Sequence, residues 1–368
     1  MQLTVPRKTL LEALRNAGEA AAARSTIPIL SHVRLTTGNG TLSVAGTDLD
    51  LAIEATVEAE VAKQGSCTAP AATLKDIVAK LASDAAVTLK FNDGRATLGV
   101  SAGGYRTTLT TLDVADFPAA APPVDAVQFH MPAATLHDLL ARTRFAICLE
   151  ETRYYLGGVF LHVAGDALHA VATDGHRLAL IDTQVPDGAS QMPSVIVPRA
   201  AVLQLLRLAE GSAEQVEIVV SASRLAAKIG KVQLITKLID GTFPEYQRVI
   251  PQDNPHLLRV ARSELAAVSA RVAIVGDGKA RPIKLTLEHG TLSVTARDPA
   301  VGEAQEDLPA EYDGPPIEVG FQARYVADIL DQISGNVEML LQDGNAPTVW
   351  RGQADASALY VLMPMRVI

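Results

Sequence analysis

One helix start is written six times along this chain, and that repetition limits its fold more than any other feature. The starts are "PRKTLLEAL" at residue 6, "PAATLKDIV" at 70, "PAATLHDLL" at 132, "PRAAVLQLL" at 198, "ARSELAAVS" at 261 and "QARYVADIL" at 322. They lie 64, 62, 66, 63 and 61 residues apart. A fixed spacing of this kind marks a repeat architecture. The fifth position is apolar every time, as Leu10, Leu74, Leu136, Val202, Leu265 and Val326, which predicts one core-facing ridge per helix. Proline suits the first turn of a helix, where its missing N–H costs nothing. Each start follows an extended-looking run such as "MQLTV", "QFHM", "SVIV" or "PIEVGF".

A second series has twice the period. "GTLSVAGTDLDLAIEA" from Gly40, "GDALHAVATDGHRLAL" from Gly165 and "GTLSVTARDPAVGEA" from Gly290 place Asp48, Asp174 and Asp298 in register, 126 and 124 residues apart. Apolar and polar residues alternate into a turn in each copy, which predicts a β-hairpin. A third series, "LDVADFPAAAPP" from Leu112 and "LIDGTFPEYQRVIP" from Leu238, marks unit ends. The expected organisation is three domains, 1–123, 124–254 and 255–368, with linkers at Pro122-Pro123 and Pro251–Pro255. Each domain holds two similar halves of strand, helix and further strands. The fold class is therefore α+β, three repeated β-rich domains with two helices each.

Three such domains in a row leave free strand edges at both ends, which invite pairing with another chain. A head-to-tail contact that closes gives a dimeric ring, and one that does not close gives a filament. Charge bears on this. Helix segments 6–24, 70–82, 132–147, 199–210 and 261–275 read as net positive and 323–333 as net negative, inside a chain of formal net charge −9. Helices lining a hole would make it mildly basic, fit for a polyanion held without base contacts. Ordinary solvated helix faces give the same pattern.

Other classes fall away. Apolar residues are 48% of the chain, so it is globular rather than disordered. No apolar run approaches the ~18 residues of a membrane span, and the first twenty residues lack a secretory pattern. Cys67 and Cys148 have no metal or redox spacing, which points to buried thiols and a reducing cytoplasm. No cofactor and no metal are expected. Asp174 and His176 could pass for an acid–base pair, but Asp48 and Asp298 share the aspartate's register, and such an aspartate caps turn N–H groups. His176 and Arg177 are particular to the middle copy, where the register otherwise holds Asp50 and Ala300. No nucleophile accompanies them, so a binding surface is better supported than catalysis. In "YVLMPMRVI", Val361, Met363 and Met365 alternate with Leu362, Pro364 and Arg366; flexible thioethers on one face suit a site that accepts many partners.

"RYYLGG" at 153–158, "VATDGHRLA" at 171–179, "SVIVPR" at 194–199, "DGTFPEYQRVIP" at 240–251 and "MPMR" at 363–366, with "STIPILSHV" and "GTDLDL" in the first domain, together resemble the bacterial β sliding clamps. The resemblance spans the whole chain. It implies a head-to-tail homodimeric ring of six domains around double-stranded DNA, held without regard to sequence, with helices lining the hole and no catalysis. It further implies a clamp loader, and replicative and repair polymerases docking through short peptides. By resemblance the peptide pocket comprises Leu156, Thr173, Gly175, His176, Arg177, Leu178, Pro244, Val249, Val361, Met363, Pro364, Met365 and Arg366. Arg24, Tyr154 and Tyr155 would meet DNA, and Ile274 and Val275 the second protomer. Glu150 stands where the family pattern has glutamine, and Val367-Ile368 where it has one apolar residue.

Overall fold

Six helices follow the six repeated starts. In the computed structural model, which describes residues 1–22, 25–276, 278 and 281–366, they are α1 (Arg7–Gly18), α2 (Ala71–Lys80), α3 (Ala133–Ala141), α4 (Arg199–Ala209), α5 (Arg262–Val272) and α6 (Ala323–Leu330). The apolar fifth positions are buried in all six. Burying one such leucine contributes about 1.5–3 kcal/mol. The prolines sit one place earlier than expected. Pro6, Pro70 and Pro198 are the residues before the helix, with φ −57°, −58° and −60° and extended ψ. The ring thus fixes the last strand residue at an angle from which the helix can start.

The helices are shorter than the segments drawn from sequence. α3 stops at Ala141, so Arg142 and Arg144 lie beyond it and Asp138 is its only carboxylate or strong base. Its expected positive charge belongs to the segment that follows. Arg142 instead spans Asp138, Asp355 and the Tyr360 hydroxyl.

The chain packs as two compact units, 1–137 with 186–238 and 138–185 with 239–368. These divisions cut through the middle repeat because strand pairing runs across repeat boundaries. In the first unit, strand Val232–Lys237 pairs antiparallel with Leu51–Glu58, joining a middle-repeat strand to a first-repeat hairpin. In the second unit, Ala358–Leu362 pairs antiparallel with Arg177–Gln184, joining a third-repeat strand to the middle-repeat hairpin. A five-stranded sheet completes the first unit and ends on strand Tyr105–Thr110. A four-stranded sheet completes the second and ends on strand Gly302–Pro309.

Four of the helices lie in pairs. α1 packs against α2, and α5 against α6. The same side-chain device locks both pairs. Arg7, first residue of α1, donates to the carbonyls of Val78 and Ala79 at the end of α2, at 2.9 and 2.5 Å. Arg262, first residue of α5, donates to the Leu330 carbonyl at the end of α6 at 2.8 Å. A cation at a helix C-terminus satisfies carbonyls that have no intrahelical partner. Gly46 permits the closest approach on the sheet side, since a Cβ there would lie 2.0 Å from the Ala17 carbonyl oxygen of α1.

Candidate peptide-docking groove

The three register aspartates do the same structural work. Asp48 Oδ1 accepts the N–H groups of Asp50 and Leu51 at 3.0 and 2.7 Å. Asp174 Oδ1 accepts those of His176 and Arg177, both at 3.0 Å. Asp298 Oδ1 accepts those of Ala300 and Val301 at 2.7 and 3.3 Å. A short side-chain acceptor closes the turn by bonding backbone two residues on. Asp174 is therefore committed to a hairpin turn that recurs in the other two repeats, where no histidine follows.

Gly175 has φ +87°, a region open to glycine at little cost. Its register partner Leu49 holds φ +85° in the first repeat, so dihedral angle alone does not demand glycine here. The second reason is Arg153. Its Nη1 donates to the Asp174 carbonyl at 2.7 Å, and a Cβ on Gly175 would sit 2.7 Å from that nitrogen. Glu150 holds Arg153 from the other side, accepting from Nε at 2.9 Å. Bonded to Arg153 and beside its charge, the Glu150 carboxyl is held below the usual range. The Glu150 charge is thus partly neutralised within its own loop.

The middle-repeat turn and the last described residues come together. Leu178 pairs with Val361 across antiparallel strands, and the Met363 N–H donates to the His176 carbonyl at 2.9 Å. The strand stops at Leu362. Val361 and Leu362 are both buried, so the expected two-face alternation ends where pairing ends. Beyond it Met363 is 41% exposed, Pro364 and Met365 are half-buried and Arg366 is exposed. The Met365 N–H donates to the Gly320 carbonyl at 2.9 Å.

The remaining positions fall into floor and rim. Leu156 and Leu178 are buried, Thr173 is half-buried, and Gly175, His176, Pro244 and Val249 are exposed. Thr173 Oγ1 donates to the Arg177 carbonyl at 2.7 Å. Pro244 and Val249 are carried by a segment stapled to the sheet through aromatic rings. Phe243 stacks on Phe160 at 4.7 Å between centroids, and the Tyr246 hydroxyl shares a 2.9 Å hydrogen bond with His162 Nε2.

Arg177 is not a free surface cation. It is 7% exposed. It donates to Asp174 at 3.1 Å, Asp328 at 2.5 Å and the Phe145 carbonyl at 2.6 Å. Its guanidinium lies 4.3 Å from the Tyr325 ring centroid and 5.0 Å from that of Phe145. His176 stacks on the same Tyr325 at 6.2 Å. Reading the sequence missed Tyr325 and Asp328 of α6. Their signal was there: an aromatic and an acid three apart share one helix face.

Tyr154 and Tyr155 lie in a 3-10 segment, Glu151–Leu156. Tyr154 is 57% exposed and Tyr155 half-buried, with their rings edge to face at 5.8 Å. Ile274 and Val275 follow α5 directly. Ile274 is 70% exposed, and Val275 is half-buried. Arg24 lies outside the described residues. Cys67 and Cys148 are buried free thiols, and burial pushes Cys67 up to about 12. Among the described residues no cluster of ligating side chains could hold a metal, and no helix is long and apolar enough to cross a membrane.

Comparison with known proteins decides the family. Models of the N-terminal, central and C-terminal domains of the DNA polymerase III beta subunit match residues 1–121, 130–245 and 247–366. The chain belongs to the DNA polymerase III β-subunit family. It shares 40% identity over 372 residues with the β sliding clamp of Caulobacter vibrioides and 36% over 371 with that of Escherichia coli K12, each covering both proteins fully. Among solved structures, the Caulobacter crescentus β sliding clamp superposes with a TM-score of 0.97 at 40% identity, covering 100% of this chain and 99% of that one. The Bartonella birtlesii clamp, solved bound to griselimycin, gives 0.96 at 39% identity with full coverage of both. The expected three repeats of one clamp domain are those of the family. As a sliding clamp, the chain is a non-catalytic processivity factor of DNA polymerase III.

Proposed function

We propose that two copies of this chain close head to tail into a ring around double-stranded DNA, with the repeat helices lining the hole. The observation that carries this is the opposite charge on two of the open sheet edges. Among the described residues, Tyr105–Thr110 and Gly302–Pro309 have a strand neighbour on one side only. The first carries Arg106 and the second Glu303, Glu306 and Asp307. Exposed edges of opposite charge suit intermolecular pairing, and Ile274 with Val275 supplies an apolar contact near Arg271, which bonds Glu306 at 2.6 Å. The domains of the ring are 1–123, 124–254 and 255–368, and its home is the cytoplasm. Arg24, Tyr154 and Tyr155 touch DNA.

Short peptides of the clamp loader and of replicative and repair polymerases dock in the groove. Its floor is Leu156, Leu178 and Val361, and its rim is Thr173, Gly175, His176, Pro244, Val249 and Met363–Arg366. Each apolar anchor gains about 1.5–3 kcal/mol on burial, which after association costs gives exchangeable, roughly micromolar binding. Arg177 serves the groove from beneath. The test is retention on DNA. Loaded protein should stay on nicked circular DNA and leave when the circle is cut. Tight binding to short linear duplex with a steep salt slope would reject topological holding, because that slope counts neutralised phosphates. A filament would instead grow with concentration in the ultracentrifuge.

A further inference from the structure

The groove of the middle repeat has a counterpart in the first repeat, 126 residues earlier. Thr173, Leu178 and Pro244 correspond to Thr47, Ala52 and Pro118. The structure repeats with the sequence. Leu178 pairs with Val361, and Ala52 with Ile235. Met363 N–H donates to the His176 carbonyl at 2.9 Å, and Lys237 N–H to the Asp50 carbonyl at 2.8 Å. Both hairpins thus receive the end of a following repeat in the same register. At the first-repeat position there is an open cavity of about 270 Å³, bounded by the hairpin, strand Val232–Lys237 and the segment from Phe117 to Pro122.

Its chemistry differs from the middle repeat in a definite way. Phe160 stacks on Phe243 there. Here the register partner of Phe160 is Arg34, which lies over the ring of Phe117, the partner of Phe243, at 5.3 Å. Arg34 approaches Glu54 only to 3.7 Å, too long for a hydrogen bond, and the other Glu54 oxygen accepts from the Ser43 hydroxyl. No hydrogen bond from the Arg34 guanidinium forms among the described residues. A planar fork of five N–H donors is therefore held over an aromatic ring at a cavity wall that Ala52 and Ile235 also line.

We propose that this cavity is a second peptide site, which takes an apolar side chain against Ala52 and Ile235 and a neighbouring carboxylate on Arg34. The occupant is a short partner segment carrying an acid next to a leucine-sized residue. Guanidinium and carboxylate match as a bidentate pair. The volume lies just under the range of small-molecule pockets, enough for a side chain rather than a large ligand. The proposal rests on the middle-repeat groove only for its design logic.

The experiment is methyl NMR on the full chain, with the Ile235 δ1 methyl reporting this site and the Met363 and Met365 methyls the other. The probes are acetyl-Leu-Asp-amide and acetyl-Leu-Asn-amide. The Asp probe should shift Ile235 saturably, with the Asn probe weaker by about fivefold or more because a charged pair becomes a neutral one. Arg34→Gln should abolish the preference. Ala52→Leu should abolish binding by filling the cavity, and it introduces the residue the middle repeat already holds at Leu178, so it decides the matter if Arg34→Gln does not fold. No saturable Ile235 shift, equal binding of both probes, or unchanged binding in Ala52→Leu would each overturn the site. Shifts confined to Met363 and Met365 would overturn it while leaving the middle-repeat groove standing. Shifts at Ile235 alone would uphold it and count against that groove.

Discussion

Arg177 Nη1 donates to Asp328 Oδ2 at 2.5 Å, tying the hairpin turn of the middle repeat to helix α6 of the third. The arginine also spans Asp174, the Phe145 carbonyl and two aromatic rings. A buried cation with this many partners positions its neighbours rather than waiting for a ligand. Asp328→Ala should cost about 1–3 kcal/mol of stability, since it leaves a nearly buried guanidinium one acceptor short. It should also weaken partner-peptide binding, because His176 and Tyr325 lose their fixed spacing. Urea unfolding and calorimetry measure the two. An unchanged peptide affinity would show that the groove does not depend on this tie.

Ile274→Asp should yield folded monomers. Ile274 is 70% exposed, so the monomer's stability should move by no more than about 0.5 kcal/mol. In a protomer contact the new carboxylate is buried without a partner, which costs several kcal/mol. Light scattering reads the mass, and thermal unfolding the fold. A dimer of unchanged mass would place the interface elsewhere.

Ending the chain at Leu362 should remove peptide binding and leave the fold and the dimer intact. The last strand stops at Leu362, and terminal segments outside a strand are rarely central to a core. Calorimetry with a peptide taken from a polymerase partner, alongside sedimentation, reads both. Equal affinity in the two proteins would remove Met363–Arg366 from the groove.

The paired histidines under the Pro244–Val249 segment should titrate in opposite directions. The hydrogen bond to Asp182, at 2.5 Å, raises His169 above its ordinary value, while burial and the charge of His169 lower His162. The groups facing His162 are His169, Asp182 and Tyr246, the last pushed up to about 12 by burial. His169 therefore adds stability that is complete below about pH 6.5, its unfolded value, and is lost as pH rises through its raised folded value. His162 adds stability that is complete above about 6.5 and lost as pH falls through its lowered value. NMR titration of the two rings should find one value on each side of 6.5. Two values on the same side would contradict the stacked arrangement.

Much of this protein was legible in the amino-acid sequence because repetition supplied internal controls. Six buried fifth positions followed from one periodic pattern, since an amphipathic helix must turn one ridge to the core. Three register aspartates marked themselves as turn acceptors by recurring where no histidine follows, and His176 stood out against them. Helix ends were less legible. α3 stops at Ala141, and Arg142 is drawn to Asp355 and Tyr360, more than two hundred residues away, which no local window contains.

Tertiary structure alone decided the rest. That Arg177 is buried, that Tyr325 stacks beneath His176, and that strand Ala358–Leu362 extends the middle-repeat sheet all depend on which residues long-range strand pairing brings together. The alternation of "YVLMPMRVI" is periodic on paper, yet it has physical meaning only while a neighbouring strand holds the backbone, and that pairing ends at Leu362. Sequence determined the local units and their number, because propensity and periodicity act within a few residues. Structure determined the sites, because contacts between distant segments depend on where the folded chain carries them.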